Sequence, residues 1–313
     1  MTVTGRPTVD PIAADRLRRT RLAVNRRVLG RREGDHASVL LGRGVEPGEA
    51  RPYVPGDDVR RMDWTVLART GQPHVRDATA ERDLDVVILL DRSASLDFGT
   101  SRWRKADLAV AVVAAFAELA VGTRDRVGAI IDGPDGPTIV PVRGGRSHGA
   151  ALVGRAARSA EGGRSDLADG LRRLDLAFRR RGLAVVVSDL LGPPERWVDQ
   201  LRRVGRRHDL VVVEIVDPRE LRLPDVGEVR LEDPETGEQR TVDTADGRLR
   251  AAYATAADQR RAAVAAAVRS AGASHVRLRT DRDWIGPLVA CLETRRRDRV
   301  AGRRDGRSTG WQR

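Results

Sequence analysis

Three runs of the chain are apolar without polar alternation: Leu84–Leu90, with Asp85 its one polar residue, Leu183–Val187, and Leu210–Val216, with Glu214 its one polar residue. A strand with one solvated face alternates apolar and polar residues, so runs of this length without that alternation predict strands buried on both faces. Around them, helical spacing of apolar positions predicts helices over 102–121, near 147–159, over 166–180 and over 194–206. "DRVGAII" and "TIVPV", joined by "DGPDGP", read as a hairpin. A second hairpin is expected near 226–245, followed by an alanine-rich helix over 246–271, a strand at "HVRLRT" and a final helix at "DWIGPLVACLETRR". Buried strands alternating with helices predict an α/β fold with a doubly wound, mostly parallel sheet.

Upstream, this regularity is lost. Residues 1–33 read as a basic N-terminal helix or tail, with Ile12, Leu17, Leu22 and Val28 loosely at helical intervals. Residues 34–82, rich in Gly, Pro and charge and without helical period, read as short strands and ordered loops. Within "RPYVPGDDVRRMDW" an ion-pair network of Asp57, Asp58, Arg60, Arg61 and Asp63 is expected, packed onto the sheet domain by Tyr53 and Trp64. The sheet domain is expected over 83–293, and a disordered basic tail over 294–313.

Charge changes the picture less than its total suggests. The formal net charge is +12, but nine arginines fall within residues 1–32 and eight within 294–313, so the body is close to neutral. Arginine-rich ends can touch phosphate without sequence preference. An aromatic content of 3% leaves little for base stacking, so nucleic-acid binding beyond such tail contacts is not expected. Lysine occurs once, at Lys105, a bias that fits a GC-rich bacterial genome. The single cysteine, Cys291, rules out a disulfide within the chain. The first twenty residues have no apolar core of a signal peptide, and the longest apolar stretch, Leu108–Val121, contains Glu118 and is too short for a bilayer. A cytoplasmic protein without a membrane span is the expectation.

The candidate chemistry lies where strands stop. Four predicted strands end in aspartate: Asp91, Asp132, Asp189 and Asp217. In open α/β sheets the carboxyl ends of the strands form the ligand crevice. Carboxylates gathered there repel one another unless a cation joins them. In "DRSAS", directly after the first buried run, Asp91, Ser93 and Ser95 can converge while Arg92 and Ala94 turn away. These hard oxygen donors suit Mg²⁺, with Mn²⁺ or Ca²⁺ as alternatives, and do not suit zinc. Ser165, after the Gly162-Gly163 pair, and Asp189, at the end of another buried run, could complete an oxygen set. The same residues would also serve as helix caps and turn residues.

The order D-x-S-x-S, then a hydroxyl residue after glycine, then a strand-end Asp resembles the metal-ion-dependent adhesion site of von Willebrand factor type A domains. "RPYVPGDDVRRMDWTVLARTGQPHVRDATAERDLDVVILLDRSAS", with "RRHDLVVVEIVDPRELRLPDVGEVRLEDPETGEQRTVDT" and "TDRDWIGPLV", is similar to the domain-of-unknown-function 58 family. The resemblance implies a type A-like domain. Its metal roles would fall on Asp91, Ser93, Ser95, Ser165 and Asp189, with serine at the third position where threonine is usual. It also implies a protein-binding role beside a MoxR-type AAA+ ATPase or its client, whose Asp or Glu would reach the metal. A metal-dependent hydrolase or phosphatase using strand-end aspartates is the alternative. The chain holds no G-x-x-x-x-G-K-[ST] phosphate loop, and its five histidines lack ligand or triad spacing, so no enzyme activity is expected.

Overall fold

The computed structural model describes residues 50–55, 57, 59, 62–76, 84–159, 165–232 and 237–305. The expected helix or tail within 1–33, and Asp58, Arg60 and Arg61 of the expected ion-pair network, lie outside the described residues.

A six-stranded sheet carries the fold. Its strands are β3 (Asp85–Asp91), β4 (Arg126–Gly133), β5 (Gly136–Arg143), β6 (Leu183–Ser188), β7 (Asp209–Val216) and β10 (Ser274–Arg279), in the order β10-β7-β6-β3-β4-β5. All neighbours pair in parallel except β5, which returns antiparallel to β4 as the expected hairpin. Every residue of β3 and β6 is buried, as the lack of polar alternation required. Odd and even positions of each strand face opposite sides. Val86, Ile88 and Leu90 join the layer with α2 (Lys105–Gly122), α3 (Arg146–Arg158) and α7 (Ile285–Asp305). Val87 and Leu89 join the layer with α4 (Leu167–Ala177), α5 (Pro194–Arg207) and α6 (Gly247–Ser270). The protein is a doubly wound, mostly parallel α/β fold.

Strand order decides where a site can form. From β3 the chain passes through α2 to β4 on one side, and later returns to β6 on the other side of β3. The winding therefore reverses between β3 and β6, and a crevice opens at their carboxyl ends.

Two expectations upstream of the sheet are corrected. Residues 34–82 were read as short strands and ordered loops, yet Trp64–Thr70 form a short helix, α1, between β1 (Ala50–Pro52) and β2 (His74–Arg76). Asp63 caps α1, accepting from the N–H groups of Thr65 at 3.1 Å and Val66 at 3.2 Å, and Gly71 ends it at φ 71°. Trp64 is 67% exposed, so it does not pack the block onto the sheet. At the other end, α7 continues to Asp305, into the segment expected to be a disordered tail. The second hairpin pairs β8 (Glu228–Glu232) with β9 (Gln239–Asp243). Among the described residues no helix is long and apolar enough to cross a membrane.

Candidate metal centre

Asp91 is the last residue of β3, and Asp189 directly follows β6. The strands are hydrogen-bonded neighbours with Leu90 opposite Val187, so both carboxylates leave the sheet at the winding reversal. The backbone N–H of Ser93 donates to Asp91 Oδ1 at 2.8 Å, and the Ser188 hydroxyl donates to Oδ2 at 2.6 Å. The hydroxyl oxygens of Ser93 and Ser95 lie 3.0 Å apart. A short 3-10 turn, Ala94–Asp97, starts here, with Ser93 at its cap position but making no side-chain capping bond. The capping role is therefore not what occupies the Ser93 hydroxyl.

Ser165 behaves similarly. The N-cap of α4 is Asp166, which accepts from the N–H of Ala168 at 2.9 Å. The Ser165 hydroxyl instead donates to Asp132 Oδ2 at 3.0 Å, and Asp132 lies opposite Asp91 in the β3–β4 register. Asp91, Ser93, Ser165, Ser188 and Asp189 line one cavity of about 370 Å³, with Arg196 among its other residues. Four of the five predicted donors thus share a cavity, and the fifth, Ser95, is bonded to one of them.

The electrostatics follow from burial without enough compensation. Burial first, and the facing Asp189 carboxylate second, push Asp91 up to about 6, against the hydrogen bonds from Ser188 and Ser93. Burial also lifts the Asp132 carboxyl, with the Ser165 hydroxyl pulling the other way. Beyond Asp189 the backbone is strained: Leu190 sits at φ 54°, in the left-handed region that bulky residues avoid. Its buried side chain and the Ser188 hydroxyl, which accepts its N–H at 3.1 Å, hold that turn.

Asp217, the fourth strand-end aspartate, lies outside this group. Its carboxylate accepts from the Thr100 N–H at 2.9 Å and hydroxyl at 2.6 Å, the Arg219 N–H at 2.9 Å and the Thr280 hydroxyl at 2.9 Å. Burial raises its carboxyl, but these donors outweigh that and hold it below the ordinary range.

Sequence reasoning missed Ser188, Lys105 and Glu220. Ser188, a lone hydroxyl at the end of the apolar run "LAVVV", orients Asp91. Lys105 donates to Asp189 Oδ2 at 2.7 Å and to Glu220 Oε1 at 2.5 Å. Burial lowers the Lys105 pKa, but the Asp189 and Glu220 carboxylates more than reverse this, and it stays charged. The uniqueness of Lys105 in an arginine-rich chain was the available signal.

Residues 49–263, which include all five predicted donors, match the family described as "Protein of unknown function DUF58". The chain belongs to this family. The DUF58 protein is 45% identical over 296 residues to the uncharacterized protein Rv1480 of Mycobacterium tuberculosis (strain ATCC 25618 / H37Rv), covering 94% of this chain and 93% of that one. The same figures hold for Mb1516 of Mycobacterium bovis. Solved structures with some similarity include the conserved hypothetical protein BatB from Bacteroides thetaiotaomicron, at 12% identity and TM-score 0.38 over 67% of this chain and 97% of that one. Another is the SpRpn10 VWA domain, at 13% identity and TM-score 0.38 over 66% and 94%.

Proposed function

We propose that this DUF58 protein is a metal-dependent protein-interaction module, with a divalent ion held by Asp91, Ser93, Ser95, Ser165 and Asp189. The observation that supports it is the shared cavity at the winding reversal, where the buried Asp91 carboxyl faces Asp189 and is pushed up to about 6. Repulsion of that kind is relieved by a cation. The hydroxyls and carboxylates are hard oxygen donors, so the donor set fits Mg²⁺. When bound, the ion would supply a Lewis-acidic position to which a partner's Asp or Glu could bind through a charge-assisted contact.

The chain's own residues prepare that contact. Ser188 and the Ser93 N–H fix the orientation of Asp91, leaving it facing the cavity. Arg196, exposed among the residues lining the cavity, offers a guanidinium to the same acidic partner. The partner implied by the family resemblance is a MoxR-type AAA+ ATPase or its client.

Affinity capture of a MoxR-type ATPase from the same organism, with the immobilised protein in Mg²⁺ and then in EDTA, tests this reading. Capture is expected in Mg²⁺, loss in EDTA, recovery on adding Mg²⁺ back, and no capture by Asp91→Ala. Capture unaffected by EDTA and by Asp91→Ala would defeat it.

A further inference from the structure

Lys105 is the only lysine of the chain, and its side chain is 0% exposed. The loop before it folds back on itself. The Lys105 N–H donates to Phe98 O at 3.0 Å, and a Cβ on Gly99 would stand 2.5 Å from the Arg104 Cα, so only glycine allows this approach. The ammonium thus sits between Asp189 and Glu220, with the Phe98 ring centroid 5.9 Å away. Glu220 is anchored in turn: its other oxygen accepts from the Asp217 N–H at 3.0 Å, within the 3-10 turn Pro218–Glu220.

Lysine differs from arginine in a way that matters here. An ammonium is a compact point charge on a flexible stem, whereas a guanidinium is a planar fork suited to one fixed bidentate partner. A lysine between two carboxylates can shift its weight from one to the other without leaving its cleft. A permanent positive charge hydrogen-bonded to Asp189 also repels any second cation that would use the same carboxylate.

We propose that Lys105 is a resident competitor for the metal position: it neutralises Asp189 when no divalent ion is bound, and passes to Glu220 when Asp189 takes the ion. This rests on Asp189 being a metal donor, as proposed above. Glu220 is the acceptor that makes the exchange possible, so the Lys105–Glu220 pair sets how tightly the ion is held. Metal occupancy is thereby linked to the Pro218–Glu220 turn, whose Arg219 carbonyl accepts from the Tyr253 hydroxyl of α6 at 3.2 Å.

The test is Mn²⁺ affinity, measured by calorimetry on the full chain, with thermal melting to confirm that each variant is folded. Lys105→Met is expected to tighten Mn²⁺ binding by about tenfold, because a nearby positive charge is removed. Glu220→Gln is expected to weaken it, and this weakening should shrink by at least about half in the Lys105→Met background, where no ammonium needs an acceptor. A purely structural role would lower affinity in both single variants. Weaker or unchanged binding by folded Lys105→Met overturns the proposal. Should Lys105→Met fail to fold, the double variant decides: binding tighter than wild type supports the exchange, and equal or weaker binding overturns it. A wild type that binds no Mn²⁺ would instead defeat the metal reading itself, and the competitor role with it.

Discussion

Asp91 and Asp217 have the same side chain, lie at carboxyl ends of strands in one sheet, and are both buried, yet their surroundings push them in opposite directions. Asp217 receives four donors, two hydroxyls and two N–H groups, and is held below the ordinary carboxylate range. Asp91 receives the Ser188 hydroxyl and the Ser93 N–H, faces a second carboxylate, and is pushed up to about 6. Strand-end position is therefore not what makes a site. The difference is supply: where the chain provides enough donors, the aspartate is structural, and where it withholds them, the carboxylate can serve a cation.

The same Asp→Asn exchange should separate the two positions most strongly. Asp217→Asn leaves one acceptor oxygen at a buried position for four donors and is expected to cost about 3 kcal/mol of stability. Asp91→Asn, measured in EDTA, removes a repelled charge and should cost less than about 1 kcal/mol, or stabilise. Urea denaturation of both variants reads this directly, and equal losses would erase the contrast.

The contrast extends to pH. Asp91 binds protons more tightly in the folded protein than unfolded, so its contribution in EDTA is full below pH 3.8 and is lost as pH rises through about 6. The loss amounts to about 2–3 kcal/mol. Asp217 works the other way: its contribution is present above the unfolded value of 3.8 and is lost as pH falls through its lower folded value. Melting curves across pH 3–7, with the two asparagine variants as references, should show these opposite slopes, and saturating Mg²⁺ should flatten the Asp91 slope.

Smaller changes sharpen the picture. Ser188→Ala removes the 2.6 Å bond to Asp91, should push that carboxyl further up, and is expected to weaken Mg²⁺ binding by about tenfold. Ser165→Thr keeps the hydroxyl and stiffens its rotamer, so Mg²⁺ affinity should stay within about threefold of wild type. A loss as large as that of Ser188→Ala would mean the methyl does not fit beside Asp132.

Much of this was legible along the chain. The runs Val86–Leu90 and Leu183–Val187, which lead to Asp91 and Asp189, are apolar throughout, so their burial, parallel pairing and exit toward one edge follow from pattern alone. The helix α1 was not legible, because none of its residues is buried and no apolar stripe marks it. Its only signals were the Asp63 cap and the Gly71 stop. Trp64 was expected to pack because aromatic rings usually do, and sequence does not say which ring finds a surface. The contacts of Lys105 were hidden for a different reason: Asp189 and Glu220 lie 84 and 115 residues away. Only strand order, which places β6 beside β3 and β7 next beyond β6, brings them to it.

The gathering of Asp91, Ser93, Ser95, Ser165 and Asp189 around one cation is most directly tested by titrating Mg²⁺ calorimetrically into protein stripped with EDTA. Saturable binding is expected for the wild type, and its disappearance in Asp91→Ala and Asp189→Ala variants whose circular dichroism remains that of the folded chain. A wild type that takes up no Mg²⁺, or folded variants that bind it as well as the wild type does, would contradict the account.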